Sequence, residues 1–303
     1  MLAIVCPGQG AQTPGMLAPW IEILEVRAAL DTYSEASGLD LIALGTTADA
    51  ATIRDTAVAQ PLLVATALAT YAALGNITPG IVAGHSVGEF AAAAVAGVFT
   101  HADAVALVRT RGVAMAEAAS AAEPTGMAAV LGGDQDDVIA RLAELDLTPA
   151  NMNGGGQVVA AGAAHAIAEL VANPPAKARV IALQVAGAFH TGYMTPAVAA
   201  LADAATHTDR HDPAITLLTN ADGSVVTSGN AAVTGMVAQV ARPVRWDLCM
   251  DTMLAMGVDG IIELAPGGVL TGLAKRAMKG VPCVALKTPD DLAAAAELAR
   301  SVS

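Results

Sequence analysis

The apolar run Ile81-Val82-Ala83 passes through Gly84-His85-Ser86-Val87-Gly88 straight into Glu89-Phe90-Ala91-Ala92-Ala93-Ala94, a strand, a Gly-x-Ser-x-Gly turn and a helix with nothing between them. A chain that leaves a strand and enters a helix this abruptly must fold the helix back on the sheet. That requires residues without bulk on both sides of the turn, and Gly84 and Gly88 are so placed. The serine is then held in a strained backbone conformation with its hydroxyl at the sheet edge. Free N–H groups at the positive end of the helix stand beside it, where they can stabilise an oxyanion. The five residues alone also suit a helix-capping serine in a glycine-rich turn. The strand before them and the helix after them favour a nucleophile.

Short apolar runs at Leu2-Ala3-Ile4-Val5, Ile81-Val82-Ala83, Ile215-Thr216-Leu217-Leu218 and Ile261-Ile262-Glu263-Leu264 alternate with longer helical stretches, the rhythm of an α/β fold. Between Glu123-Pro124 and Gly187 the texture changes. A strand at 127–131, a helix at 135–144, a strand at 157–161, a further helix and a strand at 179–185 make a β-α-β-β-α-β-like pattern that suggests a ferredoxin-like insert. The expected organisation is a large α/β subdomain from 1–124 and 188–303 and a small one at 125–187, with a ligand cleft between them. The stretch Ala57 to Leu74 comes nearest to a bilayer span, but it carries Gln60, Pro61, Thr66 and Thr70 and ends at Gly75. It reads as a buried helix that starts near Pro61.

A formal net charge of −13 opposes binding to nucleic acid or to anionic membranes, which needs clustered Lys and Arg. Cys6, Cys249 and Cys283 are scattered and lack C-x-x-C spacing, so neither a disulfide framework nor a zinc site is expected. His207 and His211 stand four apart in a Thr/Asp-rich stretch before Pro213, where a helix that could pair them on a metal does not persist. The first residues, Met1 to Pro7, lack the cationic start and apolar length of a signal peptide. The expected setting is a reducing cytoplasm, with a chain of 303 residues folding alone as a monomer.

A nucleophilic serine needs a base, and the histidines are His85, His101, His165, His190, His207 and His211. His85 adjoins Ser86 and points elsewhere at such a turn. His190 ends a strand-like run in Ala186-Gly187-Ala188-Phe189-His190-Thr191 and opens a loop, where α/β enzymes place catalytic groups. Spacing alone equally allows a satisfied, partly buried histidine there. A helix expected from Asp103, its cap, to Ala118 carries Arg111 among Leu107, Val108, Ala114 and Met115. A guanidinium on that apolar face requires an anion, either a core carboxylate or the carboxylate of a substrate. Arg109 lies about 200° round the helix and cannot serve the same site. The loop Pro7-Gly8-Gln9-Gly10-Ala11-Gln12 is neither a Walker A loop nor a dinucleotide fingerprint. An N–H from Gln9, with that of Val87, completes an oxyanion hole instead. Gly154-Gly155-Gly156 and Gly267-Gly268 read as turns.

Taken in order, Pro7-Gly8-Gln9-Gly10-Ala11-Gln12, Gly84-His85-Ser86-Val87-Gly88-Glu89, Arg111-Gly112, Gly187-Ala188-Phe189-His190 and Pro266-Gly267-Gly268-Val269-Leu270 resemble the malonyl-CoA:acyl carrier protein transacylases, in the freestanding form of actinobacterial type II fatty acid synthesis. The resemblance covers nearly the whole chain. It implies an α/β-hydrolase-like large subdomain with a parallel sheet, plus the ferredoxin-like small one. It implies Ser86 as the acylated nucleophile, His190 as general base, Arg111 as clamp on the malonyl carboxylate, and Gln9 and Val87 as oxyanion donors. Gln239, in Gln239-Val240-Ala241-Arg242-Pro243-Val244, matches a family glutamine whose main-chain carbonyl orients the histidine, and Asn153 matches a position lining the cleft. The implied partners are malonyl-CoA and a phosphopantetheinylated acyl carrier protein, with coenzyme A as part of the substrate and no cofactor. The form Gly-Ala-Phe-His departs from other bacterial relatives and resembles malonyl-selective polyketide acyltransferases, which favours malonyl over methylmalonyl and leaves a polyketide role open.

The enzyme rival is a serine hydrolase such as a thioesterase, which usually places an Asp or Glu between nucleophile and histidine; the candidates from Asp103 to Asp146 mostly fall in the expected helix or insert. A non-catalytic carrier-binding module is the reading from another class. Acyl carrier proteins are acidic and so is this chain, so docking requires a local basic patch. Lys177, Arg179, Lys275, Arg276 and Lys279 are its candidates, each of which equally suits solvated surface.

Overall fold

The computed structural model describes residues 1–302. Strands β1 (Leu2–Cys6) and β2 (Ile81–Gly84) are buried on both faces, which is why both read as continuous apolar runs with no alternation. They pair in parallel, Ala3 opposite Ile81 and Cys6 opposite Gly84. This register sets the loop that leaves β1, Pro7-Gly8-Gln9, beside the Ser86 turn that leaves β2, at the carboxyl ends of adjacent strands where ligands of α/β sheets bind.

The second group of strands is β3 (Thr125–Gly132), β4 (Thr148–Gly154), β5 (Gln157–Ala163) and β6 (Ala178–Ala182), followed by β7 (Thr216–Leu218), β8 (Val225–Val226), β9 (Val244–Arg245), β10 (Gly260–Glu263) and β11 (Cys283–Ala285). The larger sheet runs β11-β10-β1-β2-β7-β8 and is parallel except for β8, which closes its edge as an antiparallel hairpin on β7. The smaller sheet runs β6-β3-β5-β4-β9. Its first four strands are antiparallel in the ferredoxin-like order, and helices Gln135–Glu144 and Ala164–Ala172 cover it with Val138, Leu142 and Leu170, which form a core of their own with Val130 and Val158 of the strands.

Two features of this sheet were not expected. β4 carries Pro149 and two irregularities of register, between Pro149 and Asn151 and between Met152 and Gly154, and its polar, Pro-containing sequence does not read as a strand. β9 comes from outside 125–187 and pairs in parallel with β4, Asn151 opposite Val244, so the two halves of the molecule share a sheet.

The apolar helix runs Thr56–Ala73, five residues ahead of the expected start at Pro61, because Asp55 accepts the N–H of Ala57 and caps it. Pro61 therefore lies inside the helix and leaves the carbonyl of Ala57, four residues back, without its intrahelical donor. Arg109 fills the gap, its Nη1 donating to Ala57 O at 2.7 Å. Among the described residues this helix is long and apolar enough to cross a membrane, but most of it is packed inside the protein. The helix bearing Arg111 spans His101–Ala121, longer than expected. Its cap is Thr100, whose Oγ1 accepts the N–H of Asp103 at 3.1 Å and whose hydroxyl donates to the Asp103 carboxylate at 2.6 Å, so Thr100 and not Asp103 caps the helix.

Candidate active site

Between β2 and the helix Gly88–Val95 the chain turns through Ser86 at φ 54°, a left-handed conformation rare for a non-glycine residue. The turn is closed too tightly for side chains at its flanks. A Cβ on Gly84 would stand 2.0 Å from the carbonyl group of Gly88, and one on Gly88 would stand 2.3 Å from Cys6 O. His190, also left-handed at φ 62°, comes from 104 residues further along the chain and meets the serine, Oγ to Nε2, at 2.7 Å.

The histidine tautomer follows from its other partner. Nδ1 lies 3.0 Å from the main-chain carbonyl of Gln239, which can only accept, so Nδ1 carries the proton and Nε2 is free to accept the hydroxyl hydrogen of Ser86. Burial, aided by the Arg111 charge, pushes the His190 pKa down to about 3, so the ring is neutral at physiological pH. Neutral imidazole accepting from a serine hydroxyl is the ground state of general-base catalysis.

Arg111 is 2% exposed and projects into the same place. Nη1 donates to Gln60 Oε1 at 2.6 Å, and Nη2 lies 3.4 Å from Ser86 Oγ and 3.5 Å from Gln239 Oε1. Among the described residues no carboxylate forms an ion pair with it. Desolvation lowers its pKa to about 10, leaving it charged at neutral pH. Its Nε and the nearby Gln239 Nε2 are buried without partners, a donor-rich corner beside the serine that an incoming carboxylate would satisfy.

The cleft, about 370 Å³, is lined by Gln9, Ser86, Arg111, Asn153, Phe189 and His190 among others; Val87 and Gln239 are buried and are not among its lining residues. Asn153 reaches it from β4, accepting from His85 Nε2 at 2.8 Å and donating to Gln157 at 3.0 Å. His85 thus ties the serine turn to the smaller sheet, and burial lowers its pKa below the ordinary imidazole value. Among the described residues no hydrogen bond engages the N–H of Gln9 or of Val87, while the Gln9 side chain is anchored to Thr56 Oγ1 at 3.2 Å. Sequence reasoning did not single out Gln60, whose carbonyl oxygen aims Arg111. The available signal was a lone amide in an apolar helical run. No cluster of His, Cys, Asp and Glu suited to a metal occurs among the described residues.

The profile of the acyl transferase domain family matches residues 3–297. A malonyl CoA-acyl carrier protein transacylase of Mycobacterium bovis is 52% identical over 297 residues, 96% of this chain and 98% of the relative. The corresponding Escherichia coli K12 protein is 37% identical over 309 residues, 98% and 99% of the two chains. The crystal structure of MCAT from Mycobacterium tuberculosis superposes with a TM-score of 0.93 at 51% identity, covering 98% of this chain and 99% of that one. A malonyl-transacylase solved in complex with a type II polyketide synthase acyl-carrier protein superposes with a TM-score of 0.91 at 31% identity, over 98% and 99%. With its serine turn, histidine and arginine gathered in one cleft and similarity along nearly its full length, the chain belongs to the acyl transferase domain family.

Proposed function

We propose that the protein transfers the malonyl group from malonyl-CoA to the phosphopantetheine thiol of an acyl carrier protein, supplying extender units for fatty acid synthesis, through an ester on Ser86. The observation that carries this reading is the convergence on Ser86 Oγ of His190 Nε2 at 2.7 Å and Arg111 Nη2 at 3.4 Å. The malonyl carboxylate is separated from its thioester carbonyl by one methylene. A guanidinium this close to the nucleophile can therefore hold the carboxylate while the carbonyl is attacked.

In the first half-reaction His190 Nε2 takes the Ser86 proton and Oγ adds to the thioester carbonyl. The N–H groups of Gln9 and Val87 receive the oxyanion, each worth about 3 to 4 kcal/mol. Coenzyme A leaves as its thiol with the proton from His190, and malonyl-serine remains. In the second, His190 deprotonates the carrier thiol, the thiolate attacks the ester, and the proton returns to Ser86 Oγ. Gln239 orients the histidine through its carbonyl, and Asn153 lines the far wall. No cofactor enters these steps.

The geometry does not favour the hydrolase reading, because His190 Nδ1 is held by a main-chain carbonyl and not by an Asp or Glu. For the carrier, the exposed Lys275, Arg276 and Lys279 lie at the end of the helix Val269–Ala277, whose start lines the cleft. Gly155, in the β4–β5 turn, packs on the Arg276 side chain, and Gly156 O accepts from Gly132, beside Lys177 O. Lys177 and Arg179 thus flank the same turn, a basic margin suited to an acidic carrier. The reading includes action as a monomer in the cytoplasm and two subdomains divided at 125–187. Incubation with malonyl-CoA and a phosphopantetheinylated carrier tests it: malonyl-carrier is the expected product, and free malonate in its place makes the protein a hydrolase.

A further inference from the structure

The backbone N–H of Ser86 sits where neither β2 nor the following helix offers it an acceptor. The acceptor comes from the loop after β7: Asn220 Oδ1 lies 2.7 Å from Ser86 N. The same side chain donates from Nδ2 to Gly84 O at 2.8 Å, so one amide, 0% exposed, brackets the serine turn on both sides. Asn220 is held in its turn, its own backbone N–H donating to Glu89 Oε1 at 2.8 Å. Glu89 belongs to the helix that the turn starts, so the contacts close a ring from Ser86 through the helix to Glu89, to Asn220 and back to Ser86. Left-handed backbone at a non-glycine residue persists only where its surroundings over-determine it, and this ring supplies that constraint. With the Ser86 N–H turned to Asn220, the N–H of Val87 is the free donor of the turn.

We propose that Asn220 is a positioning residue for acyl transfer: its side-chain amide locks the Ser86 turn in the backbone geometry that holds Oγ against His190 Nε2 and leaves the Val87 N–H open to the oxyanion. The proposal rests on Ser86 being the acylated residue.

Asn220→Asp tests the amide itself. Protonated, the introduced carboxyl copies the amide, its carbonyl oxygen accepting from Ser86 N–H and its hydroxyl donating to Gly84 O; ionised, it sets acceptor against acceptor at Gly84 O. The groups facing this position are Glu89 on the serine helix, Cys249 Sγ 3.7 Å from Nδ2 on the helix Trp246–Ala255, Arg111 acting through Glu89, and His190 beyond Ser86. All are present in both proteins, so the pH dependence of the ratio of variant to native reports the introduced carboxyl together with its coupling to Glu89.

The measurement is single-turnover acylation by malonyl-CoA, followed by intact mass from about pH 5 to about pH 8. The expected result is a ratio near one at the acid end that falls as pH rises. Asn220→Ala, folded by circular dichroism, is expected to acylate on the order of 100-fold more slowly at every pH, with half-saturation by malonyl-CoA within about twofold of native. Should Asn220→Ala not fold, the Asn220→Asp ratio decides. Folded Asn220→Ala acylating at the native rate, or an Asn220→Asp ratio flat with pH, overturns the proposal while leaving the Ser86 ester intact. A native protein that forms no Ser86 ester overturns the parent reading instead.

Discussion

Replacing Arg111 with alanine separates selectivity from catalysis. The guanidinium is buried, charged at neutral pH, hydrogen-bonded to Gln60 and free of any ion pair among the described residues. It is therefore short of an anion until a substrate carboxylate arrives. Hydrogen bonds to charged groups contribute about 1.5 to 3 kcal/mol each. Two such bonds, made in the fork that Arg presents to a carboxylate, contribute about 3 to 6 kcal/mol to the malonyl transition state. Removing them is expected to lower kcat/KM for malonyl-CoA by roughly 10² to 10⁴-fold, since each 1.4 kcal/mol is tenfold. Acetyl-CoA has no carboxylate and leaves the charge unpaired in the native site, so its kcat/KM is expected to stay level or rise. The assay is steady-state transfer of each acyl group to the carrier, with a thermal unfolding curve to show that Arg111→Ala is folded. Loss of both activities by the same factor in a folded variant would refute the argument, because it would make Arg111 a support of the serine and not a reader of the acyl group.

The remaining expectations concern the base, the helix repair and the docking margin. With the His190 pKa pushed down to about 3, the acid limb of acylation is expected well below pH 6.5 in a pH–rate profile, and an inflection near 6.5 would contradict the assignment. The same shift has a stability consequence. Between pH 6.5 and 3 the unfolded chain binds a proton that the folded His190 does not, so this contribution is present above 6.5 and is lost as pH falls through that window, which acid titration of unfolding reads. Arg109→Ala is expected to destabilise by about 1 to 3 kcal/mol by stranding Ala57 O, and by distinctly less when Pro61→Ala restores the helical donor; equal losses in a double-mutant cycle of denaturant unfolding would show that the two are not coupled. Joint reversal of Lys275 and Arg276 to Glu is expected to raise the carrier's KM several-fold at low salt while self-acylation by malonyl-CoA is unchanged, and an unchanged carrier KM would move the docking surface elsewhere.

The parts of the site legible from sequence are those whose chemistry is local. Gly84 and Gly88 are dictated by the close approach of the turn to its own helix and to β1, and that need is written at fixed spacing around Ser86. Arg111 was visible as a charge on an apolar face, although residues alone did not choose between a core carboxylate and a ligand; the structure pairs it with the Gln60 amide. Gln60 and Asn220 were not legible, because each acts on a residue far away in sequence and its role exists only once the strands are ordered. β4 was missed for the same reason. Its polar residues and Pro149 are poor strand formers, and they are held extended by β5 on one side and by β9, which arrives from nearly a hundred residues later, on the other. The helix starts at Thr56 on its local Asp55 cap, but its passage through Pro61 again involves a distant group, since Arg109 takes up the Ala57 carbonyl that the proline strands.

The central claim is that one alcohol carries the acyl group between its two thiol carriers. Its most direct measurement is the intact mass of the protein after brief mixing with malonyl-CoA and no carrier, followed by peptide mapping. The expected result is a single malonyl adduct on the peptide containing Ser86, absent from Ser86→Ala and discharged when carrier is added. An adduct of undiminished yield on Ser86→Ala, or one that carrier does not remove, would contradict the account.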